Sequence, residues 1–134
     1  MSGDADAQYR LGLSYCCLTG AESSTQMATE WLCRAARQGH PAAQYELGRI
    51  YAGENPRSPS RGRKLMRTVA ANQDLSQAQA WFALAGANGH AEAAARADDL
   101  AARMSVTERA AAEALRADWR RIPCAYDEVF SQDA

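Results

Sequence analysis

Four cysteines and two histidines are the residues of this sequence best suited to metal binding, redox chemistry or proton transfer. Cys16 and Cys17 are adjacent, and neighbouring residues of a helix point about 100° apart, so the pair cannot clasp one zinc ion in the usual manner. Reduced cysteines that pack as small hydrophobic residues are the favoured interpretation. A disulfide from Cys33 to Cys16 or Cys17 across a helical hairpin is the alternative. We therefore expect no metal site.

The two histidines occupy the same position of a repeated segment. His40 follows Gly39 and His90 follows Gly89, which predicts a turn or helix-capping role for both rather than a ligand or proton-transfer role. No Ser/His/Asp set, Cys/His pair or phosphate-binding glycine loop appears in the sequence, and the adjacent carboxylates Asp98 and Asp99 would point apart on a helix. The sequence therefore predicts a protein that is not an enzyme and needs no cofactor.

A short basic stretch is the remaining candidate for binding chemistry. Residues 54–77 carry five basic side chains against Glu54 and Asp74, a net charge of +3 in a chain whose total is −1. A solvated helix face is the simpler interpretation. The alternative is contact with an anionic ligand or acidic partner, because guanidinium groups bind carboxylate and phosphate bidentately. Nucleic acid is disfavoured, since one short patch in a chain of pI 6.1 gives weak, non-specific binding. The basic residues are Arg57, Arg61, Arg63, Lys64 and Arg67.

Composition indicates one all-α domain. The chain has 134 residues, which suits a single domain, and 30 of them are alanine, the strongest helix former. No apolar run approaches the length needed to span a bilayer. The first residues lack the basic and apolar regions of a secretory signal, which favours a cytoplasmic location, or a periplasmic one if a signal was removed.

Two segments of the sequence recur. Ala7–Tyr15 returns 36 positions later as Ala43–Tyr51, with six of nine residues identical, and residues 28–40 return 50 positions later as 78–90. Recurrence at such periods is the signature of stacked helical units that bury their apolar faces on each other. Gly12 and Gly48, poor helix formers inside these segments, predict close approach by a neighbouring helix. Trp31 and Trp81 are predicted to occupy equivalent buried sites.

Helix signals divide the chain further. We expect Asp4 or Asp6 to cap the first helix, and Ser105 with Glu108 to form a capping box at the last one. A short additional helix is expected within residues 61–71, where apolar residues share one face. The other predicted helices cover residues 6–17, about 25–38, 41–52, 77–88, 91–103 and 105–121.

These repeated residues resemble the Sel1-like repeat, a relative of the tetratricopeptide repeat, and the ending of the last unit is typical of bacterial members. The resemblance covers roughly residues 5–121 and implies an α/α superhelical solenoid of about six or seven helices, whose first helices line a concave face that contacts other proteins. The sequence departs from the pattern at the insertion 54–77, at Gly86 in place of an alanine, and in its cysteine spacing. The matching residues are Ala7, Leu11, Gly12, Tyr15, Ala28, Trp31, Ala35, Ala36 and Gly39, then Ala43, Leu47, Gly48, Tyr51, Ala78, Trp81, Ala85 and Gly89.

The predicted organisation is a unit at 5–40, a second at 41–89 that contains the insertion, a terminal cap at 90–121 and a tail at 122–134. We expect a non-enzymatic adaptor that binds a partner protein or peptide on the concave face, and the tail could add a homo-oligomer contact. The alternative is a small regulator or enzyme that uses the basic insertion on an anionic ligand or acidic partner. The candidate partner-binding residues are Arg10, Leu13, Ser14, Glu46, Arg49 and Ile50, with Arg57, Arg61, Arg63 and Arg67 for the insertion.

Overall fold

Six α-helices and one 3₁₀ turn make up the part of the chain described by the structure, a computed structural model. The described residues are 4–15, 25–53, 74–122 and 124, and no strand occurs among them. This confirms the all-α prediction. The elements are α1 Ala5–Leu13, α2 Thr25–Ala36, α3 Pro41–Tyr51, α4 Leu75–Ala87, α5 Ala91–Arg103, α6 Val106–Ala117 and the 3₁₀ turn Trp119–Arg121.

The ends of the helices follow the cap signals. The Asp4 carboxylate accepts from the Asp6 N–H at 3.2 Å and begins α1. At α6 the Ser105 hydroxyl accepts from the Glu108 N–H at 3.1 Å, and the Glu108 carboxylate accepts from the Ser105 N–H at 2.9 Å, which confirms the capping box. Gly39 turns the chain with φ of +90°, a conformation that other L-residues rarely adopt.

The helices pack in chain order. Each of α1 to α4 packs against the helix that follows it, and α6 returns to pack on α4 as well. The buried core follows this path and includes Leu32, Leu47, Trp81 and Phe82, each at most 1% exposed. Such serial packing is the expected architecture of a solenoid, and it makes α4 the helix with the most neighbours.

Two glycines inside helices allow the predicted close approach. A Cβ built on Gly12 would lie 2.8 Å from Leu32 Cγ, and one on Gly48 would lie 2.8 Å from Phe82 Cδ1. Real Cβ atoms do not approach that closely, so a side chain at either position would force the packed Leu32 or Phe82 side chain to shift. The prediction that helices touch at Gly12 and Gly48 is confirmed.

Two expectations, about the burial of Trp31 and about the end of the last helix, were wrong. Trp31 is half-buried, whereas Trp81 is fully buried, so the two are not equivalent. The last helix ends at Ala117 rather than near Arg121, because Asp118 leaves the helical conformation at φ −131° and ψ 42°. The chain then forms the 3₁₀ turn and buries Ile122 in the core. The helix expected within residues 61–71 lies outside the described residues.

The cysteine expectation also needs correction. Cys33 and Cys124 form a disulfide with their Cα atoms 5.3 Å apart, across 91 residues of sequence. The interpretation as reduced residues is therefore wrong for this pair, and Cys33 bonds to neither Cys16 nor Cys17, which lie outside the described part. The bond forms because the turn after α6 carries the chain back to α2. The start of the tail, at Ile122 and Cys124, is thus held against its own chain.

Candidate interaction surface

The predicted partner-binding residues of α1 are mostly at the surface. Arg10 is exposed and pairs with the Asp6 carboxylate one turn earlier. Ser14 is half-buried and donates its hydroxyl proton to the Leu11 carbonyl at 2.6 Å. Leu13 is half-buried and packs against the core. Of these three predicted residues, Arg10 therefore offers the most side-chain surface to a partner.

The predicted residues of α3 likewise differ in how much surface they expose. Glu46 and Arg49 are half-buried and form an ion pair, with Arg49 Nη1 3.3 Å from Glu46 Oε1. Ile50, by contrast, is only 8% exposed and belongs to the core. The side chains of Glu46 and Arg49 therefore remain partly accessible to a partner, whereas Ile50 contributes to packing.

The same surface continues onto α5. The Tyr45 hydroxyl donates to Glu92 Oε2 at 2.7 Å and so joins α3 to α5. The Arg96 guanidinium lies 4.8 Å from the Phe82 ring centre. We call this surface, formed by the first helix of each unit, the first-helix face. It comprises Arg10, Ser14, Glu46, Arg49, Glu92 and Arg96.

Glu92 and Arg96 were not among the residues predicted from the sequence. A signal for Arg96 was present, because the offset of 50 that relates His40 to His90 also places Glu46 on Arg96. Arg10, Glu46 and Arg96 therefore hold equivalent positions in three successive units. The sign of the charge alternates along this row.

Beside the first-helix face, the surroundings keep the phenols of Tyr9 and Tyr45 neutral and the carboxylate of Asp6 charged at neutral pH. Burial raises the pKa of the Tyr45 phenol, and the hydrogen bond to Glu92 raises it further. Burial likewise raises the pKa of Tyr9, with a contribution from the charge of Glu46. The hydrogen bond from Arg10 lowers the pKa of Asp6, and one from His40 adds to the effect. At neutral pH the tyrosines therefore act as hydrogen-bond donors.

Both histidines are helix caps, as predicted. His40 Nδ1 accepts from the Ala43 N–H and His90 Nδ1 accepts from the Ala93 N–H, each at 3.1 Å. Each imidazole also stacks on the tyrosine of the preceding first helix, with ring centres 4.6 Å apart for His40 and 4.3 Å apart for His90. Since Nδ1 accepts, the proton of the neutral ring is on Nε2, which in His40 lies 3.4 Å from Asp6 Oδ1.

The described residues form no cluster of three or more His, Cys, Asp or Glu side chains able to hold a metal ion. Within the same residues, no helix has the length and apolar character that crossing a membrane requires. The candidate residues of the basic insertion, namely Arg57, Arg61, Arg63 and Arg67, lie outside the described part of the chain.

The family model for the Sel1 repeat matches residues 5–40, 41–74 and 69–90, which together exceed half of the chain. The first match coincides with the unit predicted at 5–40. The second and third run through residues 54–77, so the limits of the insertion stay a prediction. No curated protein and no solved structure matches the sequence significantly.

Proposed function

Because the chain belongs to the Sel1 repeat family, whose repeats generally mediate protein–protein interaction, we propose that it is a non-enzymatic adaptor that binds a partner protein or peptide on the first-helix face. In the repeat architecture this is the concave side. Most of the motif residues are taken up by packing, although Leu11 is exposed, so binding falls mainly to the residues between them.

The observation that carries the proposal is the row of Arg10, Glu46 and Arg96. These residues recur at one position of three successive units, and their charged groups are not needed to fill the core. Alternating charges on a stacked surface favour a partner segment of complementary, also alternating charge. A small surface of this kind gives modest affinity, because only a few helices contribute area.

The proposal is tested by reversing charges without changing the net charge. Arg10→Glu with Glu46→Lys is compared with the unmodified protein as bait in pull-downs from the source cell. The matched control is Arg103→Glu with Glu113→Lys, at exposed residues of α5 and α6 that lie outside the face. We expect the first variant to lose a partner that the control retains, while both keep the circular dichroism spectrum and melting temperature of the parent.

Retention of every partner by the face variant would contradict the proposal. The binding surface would then lie elsewhere in the chain, with the basic insertion as the next region to test.

The disulfide supports a proposal about the compartment as well. Structural disulfides persist in oxidising compartments and are rare in the cytosol, so we place the working protein in the periplasm or outside the cell. The measurement is mass spectrometry of protein from its source cell, alkylated before lysis. Carbamidomethyl groups on both Cys33 and Cys124 would contradict this placement.

A further inference from the structure

A cleft lined by three arginines lies between the end of α2 and the 3₁₀ turn. Its volume is about 300 Å³, and its lining residues are Arg34, Arg37, Gln38 and Arg120. Among the residues that the structure describes, none of these three arginines forms an ion pair with a carboxylate. We call this site the arginine cleft.

The guanidinium groups of the arginine cleft are held in place. Arg37 Nε donates to the Arg120 carbonyl at 2.7 Å, and Arg37 Nη1 lies 3.6 Å from the Cys124 sulfur. Since Cys124 is bonded to Cys33 of α2, the disulfide keeps Arg120 beside Arg37. Ordering the side chains before a ligand arrives lowers the entropy that binding costs.

Two of the arginines stack on tryptophan rings. The Arg34 guanidinium lies 4.6 Å from the Trp31 ring centre, and the Arg120 guanidinium lies 4.5 Å from the Trp119 ring centre. A guanidinium that covers an indole face still presents its N–H edge outward, and that edge is the part that binds a carboxylate bidentately. The stacking therefore orients the N–H donors and leaves them available for hydrogen bonds to a ligand.

We propose that the arginine cleft binds a carboxylate-rich segment of a partner protein. Three oriented positive charges with no carboxylate partner among the described residues complement such a segment. Nucleic acid fits less well, because it needs a longer basic track and free aromatic faces for stacking, whereas the arginines already cover one face of Trp31 and Trp119. This site uses α2 and the chain after α6, and so it is separate from the first-helix face and independent of the function proposed for it.

The test measures binding of a fluorescent peptide of alternating glutamate and glycine to the oxidised full chain by anisotropy. Arg34→Gln with Arg120→Gln removes two charges from the cleft, and Arg103→Gln with Arg109→Gln removes two exposed charges elsewhere. We expect the cleft variant to bind about tenfold more weakly and the control to change by less than about twofold, since each exposed ion pair contributes a few-fold to affinity. The effect should shrink at about 150 mM salt compared with low salt, because the charges are screened.

Several outcomes would overturn the proposal. These are no binding of the peptide at low salt, equal losses in the two double variants, or tighter binding of a ten-nucleotide oligothymidine than of the peptide. Circular dichroism checks the fold of each variant. Should the cleft double variant unfold, two single variants replace the double ones: Arg34→Gln in the cleft and Arg103→Gln as the control. Both residues lie on exposed helix surfaces, and the same difference in binding is expected.

The chain's own tail is the competing occupant, because Asp127, Glu128 and Asp133 follow Cys124 closely in the sequence. The titration is therefore repeated with these three acids replaced by Asn, Gln and Asn. Binding of the peptide to that variant alone would assign the cleft to the tail and overturn the proposal of a separate partner.

Discussion

The hairpins α1–α2 and α3–α4 share the same contacts where their helices touch, yet they differ in how deeply they are buried. In both, a glycine of the first helix faces a large apolar residue of the second, Leu32 in one and Phe82 in the other. Both end in a glycine with positive φ followed by a capping histidine. The repeated residues thus determine the geometry within a hairpin.

The difference arises outside the hairpin. Trp81 is fully buried because α4 packs against α3, α5 and α6, whereas Trp31 on α2 is half-buried. Helix α2 packs against α1 and α3, and a disulfide rather than a third helix ties it to the end of the chain. Matching motif residues therefore share their register, but their contribution to stability depends on the neighbours that cover them.

The largest expected effect separates the two tryptophans. Trp81→Ala should lower the free energy of unfolding by about 3–5 kcal/mol, because it removes a fully buried aromatic ring and leaves the buried Gln77 side chain without the indole N–H it accepts at 3.2 Å. Trp31→Ala should cost about 1–2 kcal/mol, since part of that ring is exposed and part of its contact is with Arg34. Urea unfolding measures both, and equal losses would contradict the proposed difference in burial.

Removing the disulfide should weaken the first hairpin more than the second. Cys33→Ala with Cys124→Ser should cost about 2–5 kcal/mol, as loss of a native disulfide usually does, because the bond closes a long loop. Hydrogen exchange should quicken more in α2, which carries Cys33, than in α4, which carries neither cysteine. Unchanged stability, or equal acceleration in the two helices, would show that the bond does not specifically support α2.

A third difference lies at Gly86, which occupies the position held by Ala36 in the first hairpin. A Cβ there would lie 2.7 Å from Ala94 Cβ and 2.8 Å from its Cα, so α5 would have to move. We expect Gly86→Ala to cost about 1–3 kcal/mol, although alanine has the better helix propensity. The reciprocal Ala36→Gly should cost about 1–2 kcal/mol, through lower helix propensity and the loss of a fully buried methyl group. A rise in melting temperature for Gly86→Ala would contradict the close approach.

The two capping histidines should behave alike. His40→Ala and His90→Ala each remove a cap and should cost about 1 kcal/mol, whereas asparagine at either position should restore most of the loss. Thermal unfolding at neutral pH measures the series. If asparagine proved as costly as alanine, the contribution of these residues would come from stacking on tyrosine rather than from capping.

Helix limits, caps and close contacts could be predicted from the sequence because they depend on neighbouring residues or on the repeat itself. Asp4, Ser105 and Gly39 carry their role in their residue type and position. The link between Cys33 and Cys124 could not be predicted, since it depends on the break at Asp118, where nothing in the local pattern signals a turn. The same turn places Arg120 beside Arg37, so the arginine cleft was equally hidden.

On the first-helix face, the sequence predicted that Arg10, Glu46 and Arg49 keep surface exposure, because they miss the apolar stripe of their helices. It included Ile50 wrongly as a surface residue, since that stripe is wider in α3 than the motif alone suggests. Arg96 was missed because the third unit has few motif residues, so its register becomes clear only through His90.

The smallest expected effect concerns how the stability of the fold depends on pH at His40, which differs from His90 in having a carboxylate beside it. Among the described residues only His40 has a carboxylate within 4 Å of its Nε2, that of Asp6, whose pKa is lowered first by Arg10 and then by His40. Because the folded pKa is below the unfolded one, the contribution of Asp6 is present above the ordinary aspartate range and is lost as the pH falls through the folded pKa. Asp6→Asn should therefore make the melting temperature fall less steeply as the pH drops below about 4. The control is Asp99→Asn, which removes the carboxylate of an exposed ion pair with Arg103. Melting temperatures between about pH 2 and 7 decide it, and parallel curves for parent and Asp6→Asn would show that this contact contributes nothing to the first hairpin.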